Sequence, residues 1–367
     1  MKKLIFVVMT FLAVAFIAAV PVSADSLKSG AVYAMTNNPA GNSVIVFSRD
    51  AGGALTKVGT VATNGLGFNG SMPDPLGSQN SIVLSENGNW LLAVNAGSND
   101  VTVFRVTPGG LEFASKVGSG GILPTSIAIF GNNVFVLNAD VPNAVTPNIV
   151  GFTLSNKGEL TQVAGSTRSL GAGSYGQVGF DPQGRWLVVT DKAGRILVFS
   201  IGKDGLPAAS AVATPSLAGT PFSFTFDNQG NLLVVAVNSP PNGAVSSYHI
   251  NSDGRLTIIS DRVLSGQVAA CWITWNNGKV FTTNPGSHSI SSYRETSTGA
   301  VSLNIAQAAN GLDVIDQGIS NNGKFLYAVA PGHGIAMFQI NSDGSLISLG
   351  IQSDGGITGL AQGIAVR

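Results

Sequence analysis

Two histidines are each preceded by a Pro-Gly pair, His288 by Pro285-Gly286 and His333 by Pro331-Gly332. An imidazole oriented by a carboxylate is the minimum for general-base activation of water. Asp313 and Asp316 lie between the two histidines in the chain, and either could orient one of them. The expected catalytic set is His333, His288 and Asp316. The expected ligand-binding set is amide-rich: Asn95, Asn138, Gln177, Asp191, Lys192, Asn238, Asn284 and Gln317. Such a set can hydrogen-bond a neutral polyoxygenated ligand. An Asn at a strand end also reads as a turn former that tolerates left-handed backbone, and both readings stay open here.

Other chemistries find little support. The three histidines, His249 included, fall in separate stretches and make no metal-ligand cluster, so no metal is expected. Gly171-Ala-Gly-Ser-Tyr-Gly176 fits a dinucleotide pattern, but a strand and a Pro-Gln-Gly turn follow it where a helix is required. No cofactor is expected. Cys271 is the only cysteine and sits in an apolar run, so it reads as core filler and offers no disulfide framework.

The elements that must position these residues come from a repeat. Turn glycines stand at Gly53, Gly110, Gly158, Gly205, Gly254, Gly299 and Gly344, and six residues before each stands Phe47, Phe104, Phe152, Phe199, Tyr248, Tyr293 or Phe338. Alternating apolar residues that run into such a turn read as a β-hairpin. A second family of turns, such as Pro182-Gln-Gly184 and Asn276-Asn-Gly278, falls between the hairpins and resolves each period into four strands, A to D. Seven periods of this length predict an all-β, seven-bladed β-propeller of four-stranded blades. The longest gap is explained by one insertion, residues 63–79, rich in Gly, Asn and Pro. The first repeat lacks strand A, and the C-terminal run 361–367 resembles the A strands, so that run is expected to complete the first blade and close the ring. Closure removes two open sheet edges.

Residues 1–24 read as a secretory signal peptide: Lys2 and Lys3, an apolar run, then Val22-Ser23-Ala24. The remainder, 25–367, reads as a single propeller domain. Losing Lys2 and Lys3 leaves 19 − 2 = 17 basic against 19 acidic residues, with no basic stripe, which argues against nucleic acid as a partner. The expected product is a secreted or periplasmic monomer with no membrane insertion after cleavage.

Leu123-Pro-Thr-Ser-Ile127, Gln177-Val-Gly-Phe-Asp-Pro-Gln-Gly-Arg-Trp-Leu-Val-Val-Thr-Asp-Lys192, residues 222–230 and Gln267-Val-Ala-Ala-Cys-Trp272 resemble the lactonase-type seven-bladed propellers, the family of cycloisomerase-like 6-phosphogluconolactonases and carboxymuconate cyclases. The resemblance spans essentially the whole chain after residue 24. It implies hydrolysis or isomerisation of a lactone or sugar-acid-type small molecule at the channel mouth. Active members carry Arg and His just before the A strands. The corresponding places here hold Gly176 and Pro221-Phe222-Ser223. Fold alone does not fix function, so a non-catalytic propeller binding a surface glycan or a protein is the alternative.

Overall fold

The computed structural model describes Leu27 and residues 30–139, 146–237, 243–353 and 355–367. The signal-peptide reading of residues 1–24 lies outside them. Seven antiparallel sheets follow one another around a central channel. In blade 2 the order from channel to rim is Ile82–Leu84, Trp90–Asn95, Asp100–Thr107 and Gly110–Gly118. The outer strand of blade 3 is split into Leu160–Gln162 and Arg168–Ser169, which both pair with Asn148–Leu154.

Burial follows position within the blade. Second strands are covered on both sides by neighbouring blades, and every residue of Ala31–Met35 is buried. Outer strands face water, and Leu256–Leu264 holds only exposed and half-buried residues. The seven aromatics that precede the hairpin turns are all buried. Replacing any of them with Ala should cost about 3–5 kcal/mol. The turn after Phe47 shows why glycine is needed. Gly53 has φ +91°, and a Cβ there would lie 2.4 Å from the Phe325 ring, so both backbone conformation and packing exclude a side chain.

The C-terminus closes the ring. Ile364–Val366 pairs with Ala31–Met35 in the register Val32↔Val366 and Ala34↔Ile364. The Arg367 amide extends the ladder by donating to the Ala31 carbonyl at 2.8 Å. Among the described residues no helix is long and apolar enough to cross a membrane.

The 63–79 insertion joins blades 1 and 2 and lies across one mouth of the channel, held by groups from around the ring. Asn37 of blade 1 grips Phe68 with both amide atoms. Trp272 of blade 6 donates its indole N–H to the Ser78 carbonyl at 2.9 Å, and Gln79 pairs with both backbone groups of Ile273. Ser78 reaches the Thr125 carbonyl of blade 3, and the Gln79 amide reaches Gly176 of blade 4. Gln362 of the closing strand's approach accepts from the Leu76 N–H and donates to the Ser78 carbonyl.

Candidate functional site

The insertion divides this face of the propeller. On the side of blades 2 to 4, residues 68–71 and 74–77 overhang a polar pocket of about 780 Å³, whose other walls include Leu123, Ser174, Tyr175 and Lys192. Asp74 and Lys192 are its ionisable acid and base. Both hold the same residue: the Gly77 N–H donates to Asp74 Oδ1 at 2.8 Å, and Lys192 Nζ donates to the Gly77 carbonyl at 2.8 Å. The Lys192 ammonium also stands 5.3 Å from the Phe222 ring centroid.

Burial dominates both groups. It pushes the Asp74 carboxyl up to about 6, against the opposing pull of the Lys192 charge, the Gln362 amide and two backbone N–H groups. It lowers the Lys192 ammonium, against the Asp74 charge. Each charge is therefore partly desolvated and held by the other. At neutral pH Asp74 is a carboxylate able to take a proton, and an ammonium has two N–H donors beyond the one given to Gly77.

On the other side, over blades 6 and 7, Met72 and Pro73 wall an apolar pocket of about 540 Å³ with Ala269, Pro285, Ile315 and Pro331. At its edge His288 Nδ1 is hydrogen-bonded to Asp313 Oδ1. These two side chains are 61% and 57% exposed. The expected pairing of a histidine with a carboxylate is thus realised with Asp313. His333 is exposed on the neighbouring blade. Asp316 is buried, and its surroundings, with Asp74 adding to them, push its carboxyl well above the usual range. Among the described residues no hydrogen bond links either histidine to Asp316.

Most of the amide set is turned inward. Asn95 is buried, donates to Asp100 and Thr102, and accepts from Asn42. Asn138 donates to Asn148 and the Ser119 carbonyl, and Asn284 to Ser289 and Ser291. Asp191 holds Arg195 and the Ala193 N–H. These four end the second strands of their blades and bond chiefly to side chains of the third strands. Gln177 accepts from the Phe224 N–H of the next blade, and Gln317 donates to the Phe281 carbonyl of the preceding one. Asn238 lies outside the described residues. Lys192 is the member of the set that lines the polar pocket. Asp74 was missed. Its signal was present in the sequence, as the only charged residue of the one long insertion.

Residues 31–167 match the family model of lactonases with a seven-bladed β-propeller. That stretch, blades 1 to 3, is similar to the lactonase-type propellers. Among solved structures it superposes on a candidate 6-phosphogluconolactonase from Bacteroides fragilis with a TM-score of 0.70 and 16% identity, over 95% of this chain and 99% of that one. The periplasmic gluconolactonase of Pseudomonas aeruginosa gives 0.69 and 17%, over 91% and 99%. A protein from Lactobacillus plantarum gives 0.71 and 15%, over 92% and 99%. No curated relative matches by sequence. At these identities the structural likeness is one of fold. Within that fold, this propeller has no room for a histidine at Gly176, in the blade 4 inner strand Tyr175–Phe180: a Cβ there would lie 2.1 Å from the Phe222 carbonyl oxygen.

Proposed function

We propose that the chain is an exported hydrolase of small, polar lactones working in the polar pocket beneath the insertion. The observation that carries this reading is Asp74: a carboxylate whose proton affinity is raised to about 6, in the same pocket as the Lys192 ammonium. Asp74 takes a proton from water as the water oxygen attacks the lactone carbonyl. Lys192 stabilises the charge that develops on the carbonyl oxygen. The ring C–O bond then breaks, the leaving alkoxide takes the proton back from Asp74, and a hydroxy acid departs. Export is supported by the N-terminal pattern and by the periplasmic source in the name of one structural neighbour.

The second reading, a propeller that binds a glycan or protein without turnover, rests on Gly176 and Phe222 standing where active relatives carry His and Arg. A panel of neutral and phosphorylated sugar lactones assayed with the protein and with Asp74→Asn separates the two. Asn can still accept from the Gly77 N–H, so the loop should hold while the base is lost. Turnover that falls by about 100-fold or more in the variant supports the hydrolase. Turnover that survives removes Asp74 from the mechanism. Sugar-acid binding with no turnover of any lactone leaves the binding reading.

A further inference from the structure

The apolar pocket over blades 6 and 7 is not needed for the proposed hydrolysis, yet it has the composition of a ligand site: apolar walls with one convergent polar group. Pro73, Pro285 and Pro331 line it together with Met72, Ala269 and Ile315. Prolines have no N–H to offer, so the walls are poor in donors. The polar group is His288, and its hydrogen bond to Asp313 decides what it can recognise. A carboxylate only accepts hydrogen bonds, so in the neutral imidazole the proton sits on Nδ1, facing Asp313. Nε2 is then left as an acceptor. The occupant must supply an O–H to it and an apolar body to the walls.

We propose that this pocket is a second ligand site, taking a small molecule of phenol type whose hydroxyl donates to His288 Nε2 while its ring or alkyl body packs between Met72 and the prolines. The Asp313 carboxylate at the edge disfavours an anion. A sugar would leave most of its hydroxyls without partners against these walls, at a cost for each one desolvated. Met72, 54% exposed, lies beside the connection that leads to the closing strand, where a Cβ on Gly359 would come within 2.6 Å of the methionine methyl. The wall it forms is therefore set by the ring as well as by the loop.

The test is calorimetric titration of the full protein with 4-ethylphenol and with 4-ethylanisole, which has the same ring and ethyl group but no O–H. The phenol should bind roughly three- to tenfold more tightly than the ether, the discrimination expected of one hydrogen bond. His288 has φ +50°, so His288→Gly removes the imidazole while suiting the left-handed backbone. That preference should disappear in His288→Gly, and Met72→Asp should weaken both probes. Asp74→Asn should change neither, which separates this site from the polar pocket. Equal binding of the two probes to the unaltered protein overturns the proposal, and so does absence of binding. A preference that persists in His288→Gly also overturns it. The two-probe comparison needs no variant, so it holds even if a substitution prevents folding.

Discussion

Residues 74–77 line a polar pocket over blades 2 to 4, whereas Met72 and Pro73, just before them in the same loop, line an apolar one over blades 6 and 7. Each pocket holds one carboxylate and one basic side chain. In the polar pocket burial raises Asp74 and lowers Lys192, and both are pinned to Gly77. In the apolar pocket His288 and Asp313 meet at the solvent edge, more than half exposed. An exposed pair is screened and contributes little, on the order of 0–1 kcal/mol. Residue type alone would favour the histidine as the base. Removal from water favours the aspartate, because a charge changes its chemistry only where the solvent cannot compensate for it.

The sharpest way to break this contrast is Lys192→Met. The new side chain keeps an apolar stem beside Phe222 and removes the ammonium. Loss of a donor to a developing oxyanion should lower kcat by about 100-fold. The Lys192 charge holds the Asp74 carboxyl down against burial, so its loss should also move the rising limb of the pH–rate profile to higher pH. Titration of 4-ethylphenol should be unaffected. A lower kcat together with weaker phenol binding would mean that the pockets are not independent.

Gln362→Leu attacks the wall that the pockets share. Two partners of the Gln362 amide, the Leu76 N–H and the Ser78 carbonyl, would be left buried, and Asp74 would lose the pull of the amide on its carboxyl. Each unmade bond costs about 1–3 kcal/mol. Thermal unfolding should come several degrees earlier, and both pockets should bind their probes less well. A variant that loses one site and keeps the other would show that the loop's two sides are anchored separately.

Glu295→Gln touches neither pocket and serves as the control on the opposite face. Burial raises the Glu295 carboxyl from 4.5 to about 7, opposed by the Trp275 indole N–H, with Asp227 adding to the rise. The folded state thus binds more protons than the unfolded one between pH 4.5 and 7. Stability is lost as the pH rises through that window. Gln should raise the melting temperature by about 2–4 °C at pH 8 and change it little at pH 4, while both sites keep their wild-type behaviour. An equal gain at both pH values would remove titration as the cause.

The ring was legible in the sequence because its signal is repeated. The turn glycines and the aromatics six residues earlier mark the same core position in every blade, and the run ending at Arg367 carries the pattern of the inner strand missing from the first repeat. The same regularity masks the site. Asn95, Asn138, Asp191 and Asn284 recur at one position because each ties the end of its second strand to side chains of the third strand in the same blade. Periodicity cannot tell an amide facing a turn from one facing a ligand. Asp74 belongs to no repeat, and its place over the channel depends on contacts with blades 1, 3, 4 and 6. No local pattern encodes those contacts. Lys192 was singled out from its strand end, but its partner could not be.

The half-buried carboxylate of the insertion, not the exposed histidine pair, supplies the base. The most direct measurement is kcat/KM for a neutral sugar lactone between pH 4 and 8, corrected for spontaneous opening, in the unaltered protein and in His288→Gly. The expected result is a single rising limb centred near the Asp74 value of about 6, with the same midpoint and height in the variant. A limb that vanishes or shifts in His288→Gly would place the base in the other pocket and contradict the account.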